Sequence, residues 1–210
     1  MKTLVIVGAG GFGREVAWTV RRINEVSGEQ KWDIAGFADD APDCKGGCVA
    51  GLPVVGSVGE ACVKFPDAAY FIAIGDPRVR AAVKVRLGER EFPAVVDPSA
   101  IVSETAKIGE GVFVGPLSIV STDASVGEFA VVNARAGVGH DACVGPFATI
   151  SPGVSLSGFT KVGAFAFMGT NSSTVPSVEI GEGASVSAGM PVYRSVPAGS
   201  TLSPFGTFRA

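Results

Sequence analysis

The chain has 210 residues, room for one or two domains, with 47% hydrophobic and 18% charged residues and a formal net charge of −3. A mildly acidic balance with no run of Lys or Arg argues against electrostatic capture of nucleic acid or of an anionic membrane. The first apolar run, Leu4 to Val7, breaks at Gly8, far short of a signal-peptide core or a membrane span, and reads as a buried strand of a cytoplasmic protein. Cys44, Cys48, Cys62 and Cys143 form no Cys-x-x-Cys pair and are expected as free thiols. With one histidine in the chain, the ligand count is too small for a metal site, and none is expected.

Residues 1 to about 92 read as α/β. Thr3 to Val7 is a β-branched strand, followed by the turn Gly8-Ala9-Gly10-Gly11-Phe12-Gly13. Arg14 to Ile23 then carries Val16, Ala17, Val20 and Ile23 at helical steps. Ile34 to Phe37 is a second strand ending at Asp39-Asp40, and Tyr70 to Ile74 a third ending at Gly75-Asp76-Pro77. Arg78 to Leu87, entered through Pro77, is a helix. Strand–helix alternation of this kind predicts a parallel sheet.

The segment Phe92-Pro93 to Pro98-Ser99 reads as a hinge, dividing the chain into residues 1–95 and 96–210. Beyond it a six-residue period takes over. Stepping from Val102 gives Ile108, Val114, Val120, Val126, Val132, Val138, Val144, Ile150, Leu156, Val162, Met168, Thr174, Ile180, Val186 and Val192. Thr174 alone is not apolar and is expected to loosen one coil. A fixed hexad is the mark of a parallel β-helix. Three hexads make one triangular coil, so residues 18 apart stack at strand spacing, about 4.8 Å, and sixteen ladder positions make roughly five coils. Glycines following the ladder residues are expected to serve tight corners. From Val196-Pro197 onward the chain is expected to leave the period as a tail.

Gly8-x-Gly10-x-x-Gly13 follows a strand and opens a helix, the context of a phosphate-binding turn. Asp39 or Asp40 suits a ribose or base contact. The same pattern also fits a ligand-free strand–helix turn, or an NAD-dependent enzyme. About 90 residues is short for a full dinucleotide fold, so one mononucleotide-sized site, taking a nucleotide-linked substrate, fits better.

Val5 to Gly13, Gly36-Phe37-Ala38-Asp39-Asp40 and Phe71 to Gly75 resemble the N-terminal domain of bacterial sugar acyltransferases of the PglD/NeuD kind. That family includes the nucleotide-aminosugar N-acetyltransferases of bacillosamine and perosamine pathways and sialic-acid O-acetyltransferases. The hexads resemble its left-handed β-helix, and Val132-Asn133 to His140-Asp141 its active-site stretch. The resemblance covers essentially the whole chain. It implies a Rossmann-like half-domain joined to a left-handed β-helix, a homotrimer, and acetyl-CoA lying between neighbouring subunits. It also implies a nucleotide-linked sugar held by Gly10, Gly11, Phe12, Gly13, Asp39, Asp40 and Gly75, with His140 as catalytic base and Asn133 nearby. Where the family often has a second histidine near the coenzyme this chain has Thr149. Its tail, Leu202-Ser203-Pro204-Phe205-Gly206, departs from the family's Gly-x-Pro-Ala.

His140 follows Val138-Gly139 and so lies at a corner, where an imidazole is a candidate general base. Asp141, or another carboxylate, is a candidate to fix its tautomer. Eighteen residues on, at the same corner one coil later, comes Gly158, whose amide is a candidate oxyanion donor; the resemblance implies the same position. Ala188 and Gly189, on a late coil, are candidates to accommodate the adenine end of the coenzyme. The expected activity is acetyl-CoA-dependent N-acetylation of a nucleotide-linked amino sugar, of the 4-amino-4,6-dideoxy type, for surface glycan assembly. Sugar O-acetylation stays open as the alternative, and a non-catalytic nucleotide-binding β-helix scaffold as the alternative of another class.

Overall fold

The computed structural model describes residues 1–41 and 46–209 in two compact units, Met1–Pro98 and Ser99–Ala210. Cys44 lies outside the described residues; Cys48, Cys62 and Cys143 are free thiols.

In the first unit β1 (Lys2–Val7), α1 (Gly11–Ser27), β2 (Trp32–Ala38), β3 (Cys48–Val49), β4 (Leu52–Gly56), α2 (Val58–Lys64), β5 (Ala69–Ile72) and α3 (Pro77–Leu87) follow in order. The sheet runs β3-β4-β2-β1-β5, parallel except for the β3–β4 pair. Leu4 to Val7 is an unbroken apolar run because β1 is the inner strand and these residues are at most 1% exposed. Its neighbours β2 and β5 lie on opposite sides, so the strand order reverses beside β1. The carboxyl ends there form the crevice where open α/β sheets bind ligands.

The helix expected over Arg14–Ile23 is longer, because Gly11, Phe12 and Gly13 supply its first turn and Gly28, at φ 67°, closes it. The sequence reading missed α2, although Ser57 and Glu60 form a reciprocal capping box that is legible as Ser-x-x-Glu. The strand expected to reach Ile74 stops at Ile72. Just beyond, buried Arg80 turns back and donates from Nη1 to the carbonyls of Ile74 (2.6 Å) and Gly75 (3.1 Å). Burial pulls this guanidinium down to about 10. The expected hinge is packed as well: Phe92 and Val95 are buried, and buried Asp97 pairs with Arg22 at 3.3 Å.

The second unit is a three-faced parallel β-helix. Sixteen two-residue strands, Ile101–Val102 through Pro191–Val192, occupy one hexad each, which makes five coils and one strand more. Pairing is parallel at an offset of 18, as in Val120↔Val138↔Leu156 and Val126↔Val144↔Val162. Each coil is one rung of a shared ladder: Gly139 N–H donates to the Leu156 carbonyl (2.9 Å), and Gly145 N–H to that of Val162 (2.7 Å).

The corner glycines act differently from expectation. The left-handed turn residue is usually not glycine but its second successor, such as Asp141 (φ 58°) or Phe147 (φ 58°). The glycine is needed for close approach, since a Cβ on Gly145 would stand 2.6 Å from Ala164 N in the next coil. One corner row carries Phe129, Phe147 and Phe165, stacked with centroids 5.2 and 5.3 Å apart and planes within 10°. The 18-residue phenylalanine spacing is visible in the sequence.

Two further expectations are corrected. From Val196 the chain does leave the period, as expected, but it stays on the helix and forms no separate tail. Val196 bridges Ile180, Ser200–Ser203 pairs with Ser185–Val186 at an offset of 16, and Gly206–Arg209 folds back on it antiparallel. Two residues are deleted from the period and the coil continues. Nor does Thr174 loosen its coil: it is buried, and its hydroxyl and carbonyl are bonded to Ser157 and Thr160.

Candidate active site

His140 projects from a corner between two β-helix faces, its side chain 56% exposed. Nδ1 lies 2.8 Å from Asp141 Oδ2. An ionised carboxylate only accepts, so Nδ1 carries a hydrogen, and in the neutral ring Nε2 then presents a lone pair. The ring is fixed from a second side by Phe159, edge to face at 5.2 Å, a neighbour that sequence reasoning missed. Phe159 stacks 18 residues after Asp141, so the offset alone could have found it.

Gly158 lies directly against the imidazole. A Cβ there would stand 2.5 Å from Cε1 and 2.6 Å from Nε2 of His140. The ring itself therefore takes the space a side chain would need. The Gly158 carbonyl accepts from Ser177 N–H, while its own N–H donates to no group among the described residues. A lone-pair nitrogen and an uncommitted amide donor thus share one corner.

The remaining predicted positions lie elsewhere on the prism. Asn133 stands on the preceding corner row, where its Oδ1 accepts from Ala134 N–H (2.7 Å). Ala188 and Gly189 belong to that same row three coils on, and Gly189 has a left-handed φ of 70°. Thr149 is a buried strand residue on another face, between Val131 and Phe167. Within one chain these residues do not converge on His140.

In the α/β unit a cleft of about 290 Å³ opens at the carboxyl ends of the strands, lined by Gly8, Asp39, Asp40, Ile74 and Arg86 among others. Gly13 is a packing glycine: a Cβ would meet the Gly8 carbonyl oxygen at 2.0 Å. Gly10 and Gly75 have nothing within 4 Å of that position, and Gly11 only Arg14 Nη2 at 3.8 Å, so these backbones stay open to a ligand. Gly10 caps α1 without a side chain, leaving the first-turn N–H groups to an anion. Phe12, in that turn, packs edge-on to Phe71 at 6.5 Å.

The two carboxylates are already engaged. Asp39 accepts from Ala9 N–H (2.8 Å) and Ala41 N–H (2.9 Å), tying the glycine turn to the end of β2. Asp40 accepts from Val58 N–H (3.0 Å) and pairs with Arg86 at 2.7 Å, which raises the Arg86 guanidinium above its ordinary value. Each carboxylate oxygen of Asp39 has a second acceptor site, so Asp39 retains capacity for a ligand hydroxyl or base. Arg86 was not anticipated from the sequence.

A hexad β-helix with an imidazole over a glycine amide, joined to an α/β unit with a nucleotide-sized cleft, defines the class of hexapeptide-repeat acyltransferases. Residues 3–87 match the model of the PglD N-terminal domain. Among solved structures, perosamine N-acetyltransferase from Caulobacter crescentus, a histidine-to-asparagine variant in complex with CoA and GDP-perosamine, is 30% identical. That alignment covers 96% of this chain and 93% of the other at a TM-score of 0.87. The acetyltransferase domain of PglB from Neisseria gonorrhoeae, in complex with acetyl coenzyme A, is 28% identical over 100% and 99% of the two chains, also at 0.87. The UDP-N-acetylbacillosamine N-acetyltransferase of Bacillus subtilis is 34% identical over 119 residues, 54% of this chain; the match spans about half that relative's length, 51%. The chain belongs to this family of bacterial sugar acetyltransferases, and its repeat domain is the left-handed parallel β-helix of that family.

Proposed function

We propose that the protein transfers the acetyl group of acetyl-CoA to the amino group of a nucleotide-linked amino sugar, of the 4-amino-4,6-dideoxy type, for surface glycan assembly. The observation that carries this reading is the His140–Asp141–Gly158 corner on a chain that aligns end to end with an amino-sugar N-acetyltransferase. His140 Nε2 takes a proton from the sugar amine as its nitrogen attacks the thioester carbonyl. The tetrahedral oxyanion is met by the Gly158 N–H. The C–S bond then breaks, the amide forms, and the imidazolium returns its proton to the departing thiolate. Asp141 holds the tautomer and stabilises the imidazolium.

In this reading the α/β unit holds the nucleotide. The phosphates lie on the first turn of α1 at Gly10, Gly11, Phe12 and Gly13, with Asp39, Asp40 and Gly75 around the nucleoside. Coenzyme runs along the β-helix past Thr149, Ala188 and Gly189. Asn133, Ala188 and Gly189 sit on a different edge from His140, and this separation favours a site completed by a neighbouring copy, as a cytoplasmic homotrimer would provide.

The test is thiol release from acetyl-CoA with GDP-, UDP-, dTDP- and CMP-linked sugars, each in amino and hydroxy form. Transfer to an amino sugar, lowered about 10²–10⁴-fold by His140→Ala, is the expected result. Transfer only to hydroxy sugars assigns O-acetylation instead. Full activity of His140→Ala removes the base from the mechanism.

A further inference from the structure

Fifteen of the sixteen ladder positions are apolar and one is Thr174. Its surroundings depart from those of every neighbouring rung. On the same face, Ser103, Ser121 and Gly139 each donate their N–H to the carbonyl of the ladder residue one coil on, at 2.9 Å, and Val175 does so at 3.0 Å. Ser157 does not. Its N–H donates to Thr174 Oγ1 (2.9 Å), and its own hydroxyl donates to the Thr174 carbonyl (2.5 Å). Thr174 Oγ1 also shares a hydrogen bond with buried Thr160 Oγ1 at 2.9 Å. Pairing between these strands accordingly keeps Ser155↔Ser173 and omits the Leu156–Thr174 step, whereas the flanking strand pairs keep both.

This substitution falls immediately before Gly158. Ser157 is held at its N–H and at its side chain, and the peptide leaving it carries the Gly158 N–H. We propose that Thr174 is a positioning residue: its hydroxyl replaces a ladder carbonyl so that the next peptide aims the Gly158 amide at the His140 corner. The inference rests on the reading of that amide as the oxyanion donor. It accounts for a buried polar residue in a ladder that otherwise excludes them, where an unpaired hydroxyl would be costly and a fully bonded network fixes a unique geometry.

The experiment compares wild type, Thr174→Val, Thr174→Ser and His140→Ala in steady-state acetyl transfer, with thermal unfolding and a crystal structure of each. Thr174→Val keeps shape, restores an apolar ladder and frees Ser157 N–H to rejoin the carbonyl rung. Removing a whole oxyanion donor costs about 10²–10³-fold, so misaiming one is expected to lower kcat by about 10–100-fold. KM for acetyl-CoA should stay within about twofold, and Thr174→Ser should recover kcat to within about threefold, because it keeps the hydroxyl. A Thr174→Val protein with wild-type kcat, or one whose Ser157–Gly158 peptide superposes on the wild type, overturns the proposal while an inactive His140→Ala leaves the catalytic reading standing. A fall in kcat that Thr174→Ser does not recover, matched by lost thermal stability, makes Thr174 structural only and also overturns it. If His140→Ala is as active as wild type, the catalytic reading itself has failed and the proposal falls with it.

Discussion

Gly158→Ala separates the chemistry of the corner from its folding. The new Cβ would stand 2.5 Å from His140 Cε1 and 2.6 Å from Nε2. Carbon atoms settle at about 3.5–4.0 Å, so the ring must retreat by about 1 Å. The ring is 56% exposed at the side chain and can do so by giving up its Asp141 and Phe159 contacts, and Gly158 is not among the residues with positive φ, so alanine costs the backbone little. Stability should therefore change by no more than about 0.5 kcal/mol. Catalysis should not survive so well, because a displacement of about 1 Å at a reacting group can cost about 10²-fold.

Gly139→Ala is the contrast. Its Cβ would meet backbone, Leu156 O at 2.7 Å and Gly158 N at 2.8 Å, and backbone cannot swing aside. That variant should lose about 1–3 kcal/mol as an overpacked site. The assay pairs thiol release from acetyl-CoA with thermal unfolding for both variants. A Gly158→Ala protein that keeps activity within about threefold refutes the placement of catalysis at this corner. One that unfolds as readily as Gly139→Ala refutes the steric argument.

In the α/β unit, Gly13→Ala should destabilise the fold, because its Cβ would lie 2.0 Å from Gly8 O, whereas Gly10→Ala, with open space, should fold normally and weaken nucleotide-sugar binding. Calorimetry of the two, unfolding and ligand titration, reads the difference; equal stability would show that the helix–strand approach is not tight. Tyr70 is buried, donates to the Ala61 and Phe65 carbonyls, and is held above its ordinary value of 10.0 chiefly by burial. A raised folded value means stability fully present below pH 10 and lost as pH climbs through the folded value. Denaturant midpoints from pH 8 to 11 should thus fall more steeply for wild type than for Tyr70→Phe, and parallel curves would contradict this.

The backbone plan of this protein was legible in its residues because burial imposes periods on sequence. A two-residue strand per hexad puts the same position inward on every coil, so Val102 to Val192 announces the prism, and the 18-residue stacking that follows brings Gly158 to the corner of His140 without any coordinates. The β1 run and Gly8-x-Gly10-x-x-Gly13 are legible for the same reason, since an inner parallel strand must be apolar and a close strand–helix approach must lack a Cβ.

Side-chain partners obey no period, and only the tertiary structure decided them. It showed that Thr174 stitches its coil, that the ring over Gly158 explains the glycine, that Arg86 occupies Asp40 in the cleft, and that the tail rejoins the sheet two residues out of register. Each is a matter of ångströms between atoms distant in sequence. Composition and spacing carry the repeating term of the folding energy; the single, unrepeated contacts that aim one amide and one imidazole emerge only when the coils are stacked.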